Sequence, residues 1–586
     1  MDSAGTETTM KMRSARALHL SWADQAIYVG IVVCSFFGAL VNQRFVTADT
    51  VAYLDLSDAI RDHRWHAVVN AYWFPLYPAL LAAGRACFGF KQQYELMAAR
   101  LVGALTGLLF VLAAMAVAAA ARRLMLARGA PLDELLPPRI LYVWVATLAY
   151  FFCAQDMGWY TPDALVSALM LLTVAAVLWG AAEQSLFAFV AAGLLGGFAY
   201  WAKAFAFPFF FLWMLLAAAA GLRQPRMLRR LAVSLGVFVL VAGPYVGAIS
   251  AAKGRFTFGD SGRLDMAWYV NGAVEGNMGW GPPGLLHETA HAQLKHPTEL
   301  LSSDPKVVYF SPRQVRGTIP EWDDPSYWED GLSPHFNLGQ IEAAVKRNMP
   351  AAQAAIMRIP PILLLGVLCY WGYTVRRPSF VDPILAMTFF LAIACIGAYS
   401  LVLLEGRYIA FSLVLIGASF ASCSLAKQPT GSMRSLHLAV ALIAGAILCF
   451  AFRLSLLQEN VERLRRGAHP LQGIYDMQMI SAGTDLAVRF PRGTEVACMG
   501  YLACYDDSYW AKYAGLSMTA IIESGQQWDH KTAAEGCQKL DENPSVLDLL
   551  KTRGVRAVVG RFGGEHPCSA AWQPLEGSGD FYYLPL

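Results

Sequence analysis

Three aspartates follow the first long apolar segment of the chain, within the stretch from Thr47 to Asp58. They are Asp49, Asp55 and Asp58. A carboxylate beside a weak nucleophile can remove its proton as a new bond forms, which accelerates a reaction by about 10²–10⁴-fold. An aspartate at the start of a helix can equally act as its N-cap, so Asp49 has two interpretations. Asp55 and Asp58 recur at helical spacing, which is typical of a solvated, ion-paired face, and Asp55 is a further candidate acid.

Other ionisable residues interrupt apolar stretches that are too long to form one membrane-crossing helix. Ionisable groups at membrane depth are costly, so their presence indicates either a functional site or side chains that reach the headgroups. The interrupting residues are, in chain order, Asp156, Asp163, Lys203, Glu405 and Arg407.

A second kind of chemistry is indicated by residues 287–291, whose sequence His-Glu-Thr-Ala-His fits the pattern H-E-x-x-H. On a helix, this pattern places two zinc ligands and a catalytic glutamate together. A membrane-anchored zinc metalloprotease using His287 and His291 is therefore an alternative. Three points weigh against it: the Gly-Pro-Pro-Gly sequence at 281–284 leaves only a short helix, no third ligand stands out beyond His296, and short patterns with free positions arise by chance.

The composition indicates a membrane protein. Of the 586 residues, 56% are hydrophobic and only 15% are charged, whereas soluble domains carry about 25% charged residues. The formal net charge is +3, and no basic tract with interleaved aromatic residues indicates nucleic-acid binding. Basic residues precede the first apolar segment and no small-residue cleavage site follows it, which predicts an uncleaved anchor with a cytoplasmic N-terminus.

Apolar runs of spanning length predict a mainly α-helical, polytopic fold with about eleven transmembrane helices. The basic residues of alternate loops place the C-terminus, the helix interruptions and Asp49 on the outer side of the membrane. This topology leaves a first outer loop at 43–96 and a large outer loop at 252–358. The predicted spans are 25–42, 97–121, 139–154, 163–180, 186–203, 205–221, 231–251, 356–374, 382–403, 407–425 and 436–453.

Residues 1–455 are thus predicted to form the transmembrane domain, and residues 456–586 a small soluble α/β domain outside the cytoplasm. Glu495 to Met499 and Val555 to Phe562 are predicted strands, and a helix precedes Gly554. Four cysteines in this region allow three disulfide connectivities, and the sequence does not choose between them. They are Cys498, Cys504, Cys537 and Cys568.

Several motifs in this order resemble the glycosyltransferase C superfamily, nearest its bacterial aminoarabinose transferase and protein O-mannosyltransferase-like branch. The motifs are Asp49 after the first span, WFPLYP at 73–78, YTPDAL at 160–165, GLLGGFAYWAK at 193–203 and EGRY at 405–408. The likeness covers most of the membrane half, and the His-Pro at 296–297 and the C-terminal α/β domain extend it.

The resemblance implies a glycosyltransferase that moves a sugar from a polyprenyl-phosphate or diphosphate carrier to an extracytoplasmic glycan, lipid or protein. It assigns Asp49 as the catalytic base and Asp163 as a second acid. Asp156 is a poorer candidate for the second acid. A leaving phosphate needs fixed cations, and Lys203 and Arg407 lie where a headgroup would lie. The remaining candidates for donor binding are Glu405, Tyr72 and His66.

Further expectations follow from this interpretation. Direct displacement by the acceptor would invert the anomeric centre. No cofactor is required by any motif, and dependence on a divalent metal stays open. The protein would lie in the bacterial cytoplasmic membrane, with its active site facing the periplasm or exterior. A lipid-linked sugar transporter or flippase is another alternative, although no inverted repeat indicates one. No motif encodes the sugar, the acceptor or the oligomeric state.

Overall fold

The structure is a computed structural model of the chain. It describes residues 22–41, 46–132, 135–153, 160–222, 224–272, 294–310, 317–356, 375–378, 382–426, 443–446, 474–500, 502–523, 533–563 and 566–586. Asp156, His287 and His291 lie outside these ranges, as do almost all of the predicted spans 356–374 and 436–453.

The described chain is mainly helical, as the sequence predicts. Its helices are α1 Trp22–Val41, α2 Ala48–Arg61, α3 Trp65–Val68, α4 Leu76–Ala86, α5 Glu95–Ala127, α6 Pro138–Cys153, α7 Asp163–Glu183, α8 Leu186–Ala202, α9 Ala206–Ala220, α10 Pro225–Lys253, α11 Ser261–Tyr269, α12 Pro320–Asp323, α13 Pro325–Trp328, α14 Leu338–Ile356, α15 Pro383–Ser400, α16 Gly406–Cys423, α17 Ile474–Arg489, α18 Tyr509–Ala514, α19 Ala534–Glu542 and α20 Ser545–Thr552.

Four of the described helices are long and apolar enough to cross a membrane: α5, α7, α10 and α15. Five shorter apolar helices accompany them, within α1, α6, α8, α9 and α16. The helix interruptions lie where the sequence predicts them. Lys203 separates α8 from α9, Asp163 is the first residue of α7, and Glu405 directly precedes α16.

Small residues let the helices of this bundle approach closely. Ala113, Ala114 and Ala118 of α5 are fully buried in the main core. On α8, a methyl group at Gly193 would overlap the backbone oxygen of Ser234, and one at Gly197 would lie 2.6 Å from Cβ of Val241, both on α10. Close approach of backbones at small residues is how helices associate where lipid surrounds them, because apolar burial gives little advantage there.

The strands form two sheets. The strands are β1 Glu299–Ser303, β2 Lys306–Tyr309, β3 Val375–Pro378, β4 Ser424–Ala426, β5 Glu495–Met499, β6 Ser517–Ile522, β7 Ala557–Arg561, β8 Gln573–Pro574 and β9 Phe581–Pro585. The larger sheet has the order β1-β2-β6-β5-β7-β9-β8, with β5 parallel to β6 and β7 and the other pairs antiparallel. Among the described residues, β3 and β4 form the second, two-stranded antiparallel sheet.

The larger sheet is a mixed sheet built mainly from the C-terminal part of the chain, which we call the C-terminal domain, and both of its faces are covered. Along β5, Val496 and Cys498 pack into the main core, whereas Ala497 and Met499 pack into a second core, as the two-residue period of a strand requires. Two strands, β1 and β2, come from the large loop, so this sheet is not built from residues after 455 alone. Cys498 pairs with Cys504 and Cys537 with Cys568, which selects one of the three connectivities.

Candidate functional site

One cavity gathers Asp49 and four of the five ionisable residues that interrupt the apolar stretches: Asp163, Lys203, Glu405 and Arg407. Its volume is about 590 Å³, and it lies where the loop that follows α1, the start of α7, the α8–α9 break, α11 and the start of α16 meet. We call it the central cavity. The charged and aromatic side chains that line it include Asp49, Tyr72, Asp163, Lys203, Asp265 and Arg407.

Asp49 is the second residue of α2, and the N-cap position is taken by Thr47, whose side chain makes no capping bond. The carboxylate is therefore available to the cavity, and its Oδ1 accepts a hydrogen bond of 2.9 Å from Nε1 of Trp322. Burial raises the pKa of Asp49, while Arg407 and the bond from Trp322 lower it. The net direction is upward. A carboxylate with a raised pKa is a stronger base than an exposed one.

Asp163 lies between two cations. Its Oδ1 is 2.6 Å from Nζ of Lys203, and its Oδ2 is 3.7 Å from Nε of Arg407 and accepts a 2.7 Å bond from the Thr161 hydroxyl. The side chain is 5% exposed. Buried charges are stable only when paired, so Asp163 holds both cations at this edge of the cavity.

Arg407 and Lys203 also share an aromatic partner. Nζ of Lys203 lies 4.2 Å from the ring centre of Tyr408, and Cζ of Arg407 lies 5.0 Å from it. Nε of Arg407 is 2.6 Å from Oε2 of Glu405, and its Nη2 donates to the Tyr408 hydroxyl at 3.1 Å. Contact with a ring face orients a cation without neutralising it. The two cations thus converge from separate helix breaks, where an anion could bridge them.

Aromatic rings form the wall beside Asp49. Tyr72 contacts Trp73 edge to face at 4.5 Å between ring centres and lies 6.0 Å from Trp322. Trp268, which is buried and does not line the cavity, stacks on Trp322 with ring centres 6.3 Å apart. The sequence shows these rings in the outer loops but does not show that they meet. Such a wall offers apolar faces on which a sugar ring can stack.

Asp265, on α11, lines the cavity but is not among the site residues predicted from the sequence. Its Oδ1 accepts a hydrogen bond of 3.3 Å from the Tyr72 hydroxyl. Burial raises the pKa of Asp265 to about 7, although Lys203 and the bond from Tyr72 lower it. The one sequence feature that could have indicated a site role for Asp265 is its place in the large loop, a few residues before the aromatic residues Trp268 and Tyr269.

Two of the predicted donor-binding or acidic residues lie elsewhere. His66 is exposed, on the short helix α3, and does not line the central cavity. Asp55 does not line the central cavity; it accepts hydrogen bonds from Thr318 and Lys512, so it belongs to an ion-paired cluster. His296, near the predicted zinc motif, stacks on Tyr327 with ring centres 3.7 Å apart. Within the described ranges, no three His, Cys, Asp or Glu side chains form a group that could hold a metal ion.

Solved structures that are similar to this chain match it over nearly its whole length. ArnT from Cupriavidus metallidurans, bound to undecaprenyl phosphate, is 15% identical, with a TM-score of 0.51 over 96% of this chain and 97% of ArnT. The apo state of ArnT gives 13% identity and a TM-score of 0.52 over the same shares. The oligosaccharyltransferase AglB from Archaeoglobus fulgidus, with an inhibitory peptide and a dolichol-phosphate, gives 11% identity and 0.45 over 92% of this chain and 70% of AglB.

Comparison by sequence finds no matching family profile and no matching curated protein. The structural match confirms, at the level of the fold, the resemblance that the sequence motifs predict. The chain therefore has the fold of ArnT, with a C-terminal mixed sheet and, among the described residues, four helices long and apolar enough to cross a membrane.

Proposed function

We propose that this protein transfers a sugar from a polyprenyl-phosphate carrier to an acceptor outside the cytoplasm. The observation that carries the proposal is the composition of the central cavity. One cavity joins a carboxylate with a raised pKa, Asp49, to two converging cations, Lys203 and Arg407. The ArnT structure of the same fold holds undecaprenyl phosphate, which supports the same class of carrier here.

The cations would bind the phosphate of the donor. As the bond between the anomeric carbon and the phosphate oxygen breaks, that oxygen gains negative charge, and fixed cations stabilise the transition state more than the ground state. Arg407 offers a bidentate fork, and Lys203 acts as a point charge. Both are already oriented by Asp163 and Tyr408, so little reorganisation accompanies binding.

Asp49 would act as the base. The acceptor oxygen attacks the anomeric carbon, its proton passes to the Asp49 carboxylate, and the polyprenyl phosphate leaves with the electrons of the broken bond. Displacement in one step inverts the anomeric centre. The hydrogen bond from Trp322 fixes one carboxylate oxygen and leaves the other for the acceptor proton. Glu405 and Tyr72 would complete the donor pocket, since both line the same cavity.

The test uses the full-length protein in nanodiscs with a polyprenyl-phosphate sugar labelled in the sugar. Transfer of the label to a hydroxyl acceptor, with release of polyprenyl phosphate, is the expected result. Movement of the intact lipid across the bilayer without bond cleavage would instead indicate a flippase. Peptide hydrolysis blocked by a chelator would indicate a protease. Either result without sugar transfer would overturn the proposal.

A further inference from the structure

The helix that carries Asp49 is held at its other end by the C-terminal domain. Asp55 and Asp58 lie on α2 six and nine residues after Asp49, which is about 9 Å and 14 Å along the helix at 1.5 Å per residue. Nζ of Lys512, on α18, donates to Oδ1 of Asp55 at 2.7 Å and to Oδ2 of Asp58. The Lys512 side chain is 8% exposed, so this is a buried contact between domains.

The hydrogen-bond partner of Asp49 is held by the same domain. Asp55 accepts bonds from the Thr318 backbone at 2.8 Å and from its hydroxyl at 3.1 Å, and the helix that follows carries Trp322. This segment is in turn tied to β6. The Met518 backbone N–H donates to the Thr318 carbonyl at 2.9 Å, and the Ser517 hydroxyl donates to the Gly317 carbonyl at 3.0 Å.

A second route reaches the same helix. The Tyr509 hydroxyl, on α18, donates to Oε2 of Glu95 at 2.9 Å. Glu95 pairs with Arg85 at 2.6 Å, and Arg85 pairs with Asp58 at 2.9 Å. Burial alone would raise the pKa of Asp58, but Lys512 and Arg85 lower it to about 2. These charges line a second cavity of about 590 Å³. Removing one partner from such a network leaves a buried charge uncompensated, so the network fixes the helix position.

We infer that the C-terminal domain is a positioning element of the central cavity, with Lys512 setting the orientation of α2 and thereby of Asp49. The inference rests on the proposed role of Asp49 as the base. Lys512 does not line the central cavity, so it acts through α2 and through the segment that carries Trp322. A displacement of about 1 Å at a reacting group can reduce the rate by about 10²-fold.

The test compares Lys512→Met with a matched control, Lys551→Met, which removes a half-exposed lysine of the same domain. We expect Lys512→Met to lower kcat for sugar transfer by about 10- to 100-fold. KM for the donor should stay within about threefold, because Lys203 and Arg407 are unchanged. Lys512→Arg, which keeps the charge, should recover part of the loss. Lys551→Met should behave as wild type.

Two further measurements distinguish a positioning role of Lys512 from a loss of folding in the Lys512→Met variant. The double variant Lys512→Met/Asp55→Asn removes the lysine together with one of its acids, and Asp58 keeps Arg85, so no acid of the cluster is left without a cation. It should show the same fall in kcat. Hydrogen exchange of the α2 amides should be faster in Lys512→Met and in the double variant than in Lys551→Met, because the far end of α2 is released.

The outcomes are distinct. If folded Lys512→Met and the double variant transfer sugar with wild-type kcat and unchanged α2 exchange, the inference is wrong and the proposed function stands. If the wild-type protein transfers no sugar, the proposed function fails, and the catalytic part of the inference fails with it. A rise in KM with constant kcat would also contradict the inference, because it would place Lys512 in donor binding.

Discussion

Asp163 and Lys203 are forty residues apart in the chain, yet Oδ1 of Asp163 lies 2.6 Å from Nζ of Lys203. Because Asp163 begins α7 and Lys203 follows α8, the ion pair joins the two helix ends at one point on the cavity wall. Asp163 also faces Arg407. Its carboxylate is thus an internal counter-ion of both cations, for whose charge a phosphate bound at this point would compete.

This competition predicts opposite changes in the affinity for polyprenyl phosphate when Asp163 or Lys203 is replaced. Asp163→Asn should bind polyprenyl phosphate more tightly, by about tenfold or ~1.4 kcal/mol, because the cations lose an internal counter-ion. Its kcat should fall, since Lys203 is no longer fixed. Lys203→Met should weaken binding by a similar factor. Titration of each purified variant with polyprenyl phosphate tests this, and weaker binding by Asp163→Asn would contradict it.

Arg407→Ala should weaken binding of polyprenyl phosphate by about 10- to 100-fold, since hydrogen bonds to charged groups contribute about 1.5–3 kcal/mol. The affinity of Arg407→Lys should lie between those of wild type and Arg407→Ala, because lysine keeps the positive charge but cannot make the bidentate contact of a guanidinium group. Arg489→Ala, which removes an arginine paired with Asp485 in the C-terminal domain, is the matched control. An Arg407→Ala affinity equal to that of the control would exclude the phosphate role.

Trp322→Phe should shift the pH dependence of kcat. The N–H of Trp322 lowers the pKa of Asp49 by stabilising the carboxylate, so its loss raises that pKa further above the usual range. The base is then protonated up to a higher pH, and the acidic limb of the kcat profile moves upward. Phenylalanine keeps an apolar ring beside Trp268 and Tyr72. An acidic limb that stays fixed or moves downward would show that Asp49 is not the group being titrated.

Asp265→Asn should change how stability depends on pH. Burial raises the folded-state pKa of Asp265 from 3.8 to about 7, so the folded protein keeps a proton that the unfolded chain has lost between these values. Stability attributable to this group therefore falls as the pH rises through that interval. The Tm of Asp265→Asn minus that of wild type should be larger at pH 8 than at pH 5. Asp541→Asn, at an exposed position, is the control, and an equal difference at both pH values would count against a raised pKa of Asp265.

Local patterns in the sequence predict several elements of this fold. The start of α7 at Asp163 and the break at Lys203 follow from polar residues and proline inside apolar runs, and the strand Glu495–Met499 follows from its flanking turn residues. The family resemblance supplies the candidate roles of Asp49, Asp163 and Arg407. The structure brings these residues to one cavity.

The remaining contacts depend on long-range packing that no local pattern encodes. Trp322 is 273 residues from Asp49, and Lys512 is 457 residues from Asp55. Asp265 lies 193 residues from its partner Tyr72. Each resembles an ordinary loop or surface residue in the sequence. The exposure of His66 could not be predicted for the same reason. Only the folded chain determines which face of the loop after α1 turns towards the cavity.

Asp49→Asn tests the central claim most directly. Asparagine keeps the shape and the hydrogen bond from Trp322 but cannot take a proton. We predict that single-turnover transfer from a polyprenyl-phosphate sugar falls by about 10²–10⁴-fold, while the affinity for polyprenyl phosphate stays within about threefold of wild type. Transfer by Asp49→Asn at the wild-type rate would contradict the assignment of Asp49 as the base, and with it this account of the cavity.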